Sequence, residues 1–179
     1  MYKTDLINYQ KSRNILIVKN FYNLMKPRVM SLVIFTALVG LVISKNQIDL
    51  ASSVLALFFV AAGAGAAGAL NMWYDSEIDA IMSRTCLRPI PLGKISNNQA
   101  LYFGIFLTLV SVIGLYFVSN ILSASILALT IGFYIFVYTI WLKRRSVQNI
   151  VIGGAAGAFP PVIGWTISNN SLSIEPIVL

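Results

Sequence analysis

Asn71, Asp75 and Asp79 recur at every fourth residue, and Arg84 and Arg88 repeat that spacing a little further on. On a helix a four-residue interval returns to the same face, so one amide and two carboxylates line a single side. Each arginine follows an aspartate by nine residues, which predicts two acid–base pairs, Asp75 with Arg84 and Asp79 with Arg88. Hard oxygen donors of this kind suit Mg²⁺, which is typically held by one or two carboxylates together with substrate phosphates. Forked guanidinium donors suit phosphate oxygens. The stretch therefore predicts a metal site at Asn71, Asp75 and Asp79 beside an anion site at Arg84 and Arg88. An ordinary cap at the edge of a membrane would use the same residues. However, an ionised side chain within a span costs about 2.5–3.5 kcal/mol on insertion scales, so such groups usually have a task. Glu77 falls on another face and is predicted to be solvated.

The elements that must hold this face are apolar. The chain has 179 residues, 58% hydrophobic and 11% charged, the composition of an integral membrane protein. The net charge of +7 is then a matter of topology, and no nucleic-acid partner is expected. Histidine is absent, which excludes histidine metal ligands, general bases and haem ligands from this chain. The single cysteine, Cys86, excludes an intrachain disulfide.

Residues 1–28 are predicted to form a basic arm, followed by a transmembrane domain over 29–179. Apolar runs at 29–44, 50–74, 100–118, 121–142 and 150–167 are each near the ~20 residues needed to cross the hydrocarbon core. They predict an all-α bundle of five complete spans, and 174–179 reads as the start of a sixth. The arm's polar, basic character and its continuation into a span do not fit a cleaved signal peptide. Six Lys and Arg lie in the arm, three around the aspartates and three in Lys143-Arg144-Arg145, against Lys45 alone in the other loops. The positive-inside rule then places the amino terminus and the aspartates on the cytoplasmic side.

Lys143, closest of its trio to the fourth span, and Arg28, at the lip of the first, could both reach an anion there. Tyr138 and Lys143 are weaker candidates than Arg84 and Arg88, and Asn149 could be a polar contributor or a helix cap. Ala64-xxx-Gly68 and Gly153-xxx-Gly157 predict close helix packing; neither follows a strand or carries the GK[ST] of a nucleotide loop. Trp73, Phe133, Tyr134 and Trp141 could line an apolar cavity or face lipid.

The NxxxDxxxD string at Asn71–Asp79 resembles the first aspartate-rich motif of the UbiA superfamily of intramembrane prenyltransferases. The full stretch Asn71-Met-Trp-Tyr-Asp-Ser-Glu-Ile-Asp-Ala-Ile-Met-Ser-Arg-Thr-Cys-Leu-Arg-Pro-Ile-Pro91 is similar to its protoheme IX farnesyltransferase branch. So are Lys26-Pro-Arg-Val29 and the run from Leu142 to Trp165. The resemblance implies farnesyl transfer from farnesyl diphosphate to a vinyl group of haem B, with haem B as substrate and Mg²⁺ as cofactor. Asp75, Asp79 and Asn71 would hold the metal, with Asp75 and Asp79 as the catalytic pair. Arg84, Arg88, Lys143 and Arg28 would take the diphosphate charge. It also implies a bacterial (or mitochondrial) inner-membrane location and a possible association with haem A synthase or terminal oxidase assembly.

Members of that family carry about nine spans and a second aspartate motif facing the first. This chain is therefore expected to be an amino-terminal portion, inactive alone. Rival readings are a UbiA-type enzyme acting on an aromatic ring, a transporter with an acidic vestibule, and a remnant without turnover.

Overall fold

The computed structural model describes residues 16–178 except 45, 47, 144 and 147. Lys3, Lys11, Arg13, Lys45 and Arg144, which entered the charge count, lie outside the described residues. All regular structure among the described residues is helical. In chain order it comprises α1 (Leu16–Leu24), α2 (Pro27–Ile43), α3 (Leu50–Tyr74), α4 (Ser76–Ile81), α5 (Asn97–Val118), α6 (Ile121–Leu142), α7 (Asn149–Asn169) and α8 (Glu175–Val178). Helices satisfy their own backbone groups in lipid, which is why apolar sequence of this length takes no other form.

Four helices, α3, α5, α6 and α7, are long and apolar enough to cross a membrane. The expected first span is different. At 17 residues α2 is short, and α1 meets it at a bend of 55°, so a fifth crossing exists only if the bent pair is one span. The bend has a local cause. Lys26 adopts a left-handed conformation with φ 56°, and Pro27 follows it, so the α1 ladder cannot run on. The expected start of a sixth span is the four-residue α8. Within the predicted polar arm, α1 packs inward: Leu24 is buried with Ala69, Met72, Ile95 and Ala100, and the Phe21 ring lies 5.0 Å from that of Phe103.

α3 is the most buried of the four long helices, and its small residues explain why. At Gly68 an added Cβ would lie 3.0 Å from the Met25 carbonyl oxygen, so the α1–α2 bend rests directly on the α3 backbone. α2 and α7 approach still more closely through Gly40 and Gly164.

The helix starts follow their sequence signals. The Asp49 carboxylate accepts the Ser52 N–H at 2.9 Å, a bond that holds this exposed carboxyl below its ordinary pKa. Ser96 and Gln99 form a capping box at the start of α5. Removing it by Ser96→Ala is expected to lower stability by about 1 kcal/mol, measurable as a reduced unfolding midpoint in detergent. Ser119 and Asn120 alone separate α5 from α6, as expected, and Asn120 donates to the Thr166 carbonyl at 2.8 Å, fixing the hairpin on α7.

α6 departs from the sequence reading. Over Phe133–Leu142 it widens from an α-helix into ten residues of π-helix. α7 is also irregular, with a 3₁₀ turn at Ala155–Ala158 between its two α-helical parts.

Candidate functional site

Although α3 ends at Tyr74, the single-face spacing of the motif survives into α4. The Asp75 N–H donates to the Asn71 carbonyl at 3.0 Å and the Asp79 N–H to the Asp75 carbonyl at 2.8 Å, so the four-residue ladder runs through the junction. Asn71, Asp75 and Asp79 are 2%, 1% and 3% exposed. Three ionisable or amide groups buried this deeply need partners.

The structure supplies them from distant parts of the chain. Asp79 pairs with Arg88, Nη1 to Oδ2, at 2.5 Å, as the nine-residue spacing predicts. The second predicted pair does not form: Arg84 is exposed, and the partner on Asp75 Oδ2 is Lys143 from the end of α6. The stretch after Ile81 turns away from α4 through successive turns, which leaves Arg84 on the outside while Thr85 folds back to donate to the Asp79 carbonyl at 3.1 Å. Arg28 is exposed as well, and so is Glu77, as predicted.

The structure adds two members to the cluster that the spacing of the motif does not point to. Lys26, at the α1–α2 bend, donates from Nζ to Asn71 Oδ1 at 2.5 Å. In the sequence it is one more basic residue of the arm; its signal was the following proline, which fixes the chain's turn toward α3. Thr139 is fully buried and accepts the Asn71 amide N–H at 3.1 Å. A lone threonine in an apolar helix carries no signal of its own.

Three cations, Lys26, Arg88 and Lys143, thus surround two carboxylates among the described residues. That leaves one positive charge uncompensated in the cluster. Asp75 Oδ1 is buried with no hydrogen-bond partner. An unpartnered buried carboxylate oxygen is costly, and a hard oxygen of this kind is what a divalent cation takes. No group of three His, Cys, Asp or Glu side chains comes together as a metal site among the described residues; the buried carboxylates of the cluster are Asp75 and Asp79. Asn71, expected as a third ligand, has its amide oxygen on Lys26 and its nitrogen on Asp75 Oδ2 at 3.0 Å. In this arrangement it orients Asp75.

From this cluster a cavity of about 250 Å³ runs between α2, α3, α6 and α7, close to the lower end of the ~300–1,000 Å³ of typical ligand pockets. Its wall is aliphatic or small, including Val29, Val33, Val60, Leu127, Ile131 and Ile163, and Lys26 is its one charged lining residue. Lys26 therefore belongs to both the cavity and the polar cluster. Of the aromatics that could line such a cavity or face lipid, Tyr134 lines it, whereas Trp141 is exposed and Phe133 packs near Phe159. The packing role expected for the glycine runs holds at Gly63 and Gly153, which face Leu127 and Tyr138, but Gly154 and Gly157 border open space along the cavity.

The family model for the UbiA prenyltransferase family matches residues 33–179. A protein named protoheme IX farnesyltransferase from Pelagibacter ubique is 60% identical over 164 residues, covering 92% of this chain and 54% of that protein. A protein of the same name from Rhizobium etli (strain CIAT 652) is 58% identical over 161 residues, covering 90% and 51%. The chain spans about half the length of the curated relatives it matches. Among solved structures, a UbiA homolog from Archaeoglobus fulgidus bound to GPP and Mg²⁺ aligns with a TM-score of 0.70 at 18% identity, covering 87% of this chain and 56% of that one. That likeness establishes the fold.

Proposed function

The chain belongs to the UbiA prenyltransferase family, and we propose that it carries the diphosphate-binding part of a haem B farnesyltransferase. The reaction would break the allylic C–O bond of farnesyl diphosphate and join the farnesyl carbon to a vinyl group of haem B. Diphosphate leaves, and water supplies the hydroxyl of the product, haem O. The relatives named for this activity support the choice of acceptor. The observation that carries the reading is the buried carboxylate–cation cluster at the head of an apolar cavity, joined to it by Lys26.

In this reading Asp75 and Asp79 hold Mg²⁺ on the diphosphate, Asn71 orients Asp75, and Arg88, Lys143 and Lys26 take the remaining negative charge. Mg²⁺ would neutralise charge developing on the leaving group. Cations already in place in a water-poor site are worth far more than in bulk, because they need no reorganisation as the bond breaks. Arg84 and Arg28, both exposed, would serve the approach of the anion. The apolar wall would hold the farnesyl chain and keep water from the allylic centre until the new carbon–carbon bond forms. The protein is an integral, multi-pass membrane protein. We further place its amino terminus and aspartates on the cytoplasmic side of the inner membrane, with five crossings of which α1–α2 is the first, as the distribution of Lys and Arg supports. The transmembrane domain of residues 29–179 would then take in α1 from the end of the basic arm, 1–28.

The test joins this chain to the remainder of the Pelagibacter ubique relative and assays membranes with labelled farnesyl diphosphate, Mg²⁺ and either haem B or a hydroxybenzoate. Farnesylated haem is the expected product. A farnesylated ring would reassign the acceptor, and no Mg²⁺-dependent diphosphate release with either would overturn the reading.

A further inference from the structure

We propose that Thr139, held by the π-helical part of α6, is a positioning residue that sets which way round the Asn71 amide lies and thereby which oxygen of Asp75 is left free. This rests on the reading of the carboxylate cluster given above. The Thr139 hydroxyl donates to the Tyr134 carbonyl, five residues back, at 2.8 Å. A hydroxyl has one proton, so toward Asn71 the Thr139 oxygen can only accept. It accepts from Nδ2 at 3.1 Å.

The consequence runs outward from that bond. With Nδ2 facing Thr139, the same nitrogen donates to Asp75 Oδ2 at 3.0 Å, and the amide oxygen faces Lys26 Nζ at 2.5 Å. The reverse orientation would set the amide oxygen against two acceptors, the Asp75 carboxylate and the Thr139 oxygen, and the amide nitrogen against an ammonium. Asp75 Oδ2 is thus engaged by Asn71 and Lys143, and Oδ1 is left buried without a partner. Thr139 and Lys143 both come from the π segment and its end, where the Lys143 N–H donates to the Tyr138 carbonyl at 3.0 Å. One widened stretch of helix therefore fixes both contacts on the Asn71–Asp75 pair. π-Helical turns are rare and recur at functional sites; here the five-residue step brings the Tyr134 carbonyl within reach of the Thr139 hydroxyl.

The experiment places the 179-residue chain in lipid nanodiscs and follows Mn²⁺ binding by paramagnetic resonance in the presence of farnesyl diphosphate. Thr139→Val removes the hydroxyl at nearly constant volume, and Thr139→Ser keeps it. We expect Thr139→Val to weaken Mn²⁺ binding by about 10- to 100-fold, the usual loss for a group that orients a metal ligand, and Thr139→Ser to stay within about threefold of the parent. The double variant Asn71→Ala/Thr139→Val should then lose little more binding than the worse of the two single variants, because the two residues act as one unit. Equal binding by Thr139→Val and the parent, or additive losses in the double variant, would overturn the inference. So would a Thr139→Ser loss as large as that of Thr139→Val. If Thr139→Val fails to fold, Thr139→Ala must fold and show the same loss and coupling; if neither folds while Thr139→Ser does, the hydroxyl serves the fold and the inference is overturned. Asp75→Ala separates the two claims: binding that survives it removes the carboxylate reading itself, whereas binding lost with Asp75→Ala but kept with Thr139→Val removes only the role of Thr139.

Discussion

Replacing Asp75 by Asn should cut Mg²⁺-dependent release of diphosphate by at least about 10²–10³-fold, the scale on which a single preorganised charge contributes to a transition state. The substitution keeps the size of a side chain that is 1% exposed, so packing has little reason to change. What it removes is one negative charge and the free oxygen Oδ1. The partner left behind, Lys143, has a third of its side-chain surface exposed and can turn to water, so the fold escapes most of the penalty of a stranded buried cation. The measurement is turnover of the chimaera described above, with circular dichroism and thermal unfolding as controls. Diphosphate release at the parental rate by a folded Asp75→Asn protein would remove Asp75 from the site. Altered solute flux without any chemistry would instead favour a transporter.

Gly164→Val should have the largest effect on stability, a loss of about 3 kcal/mol or more, at the upper end of what overpacking costs in a well-packed core. A Cβ at Gly164 would overlap the Ala37 carbonyl oxygen and lie 2.9 Å from the Leu41 nitrogen; a Cβ at Gly40 would meet the Pro161 carbonyl group and lie 2.9 Å from its Cα. Both obstacles are backbone, so the helices must separate along their whole crossing for either side chain to fit. Even Gly→Ala, which gains about 1 kcal/mol of helix propensity, should be destabilising at both positions. Gly114 is the contrast, because the atoms its Cβ would meet all belong to the Phe59 ring, a side chain that can shift where a backbone cannot. Unfolding midpoints in detergent should fall steeply for Gly40→Ala and Gly164→Ala and only slightly for Gly114→Ala. Equal shifts at all three would mean that the α2–α7 contact is not rigid.

Much of the fold was legible because membrane spans announce themselves by length and composition, and the boundaries of α3 and α6 fall where the apolar runs end. The bend at Lys26 was not, although Pro27 marked its place, because an apolar α1 lay inside a stretch whose charges dominated its reading. At the site, the Asn71–Asp75–Asp79 face followed from spacing alone. The Asp79–Arg88 pair did too, yet the same nine-residue rule failed for Asp75 and Arg84, since the chain turns away between them. Contacts such as Lys143 on Asp75 and Lys26 on Asn71 span 68 and 45 residues and depend on how helices cross. The π-helical register of α6 over Phe133–Leu142 has no mark in its apolar sequence, and Thr139 becomes visible only through it.

In the proposed reaction, the uncompensated positive charge of the cluster would bear on the end as much as on the beginning. Inorganic diphosphate keeps the substrate's phosphate oxygens and gains the charge of the broken C–O bond, so Lys26, Arg88 and Lys143 would grip it at least as strongly after the farnesyl chain has gone. A pocket built in this way binds its leaving group as a competitor. Its pace would then be set by departure of the spent anion, a slow step common among enzymes that sequester their chemistry.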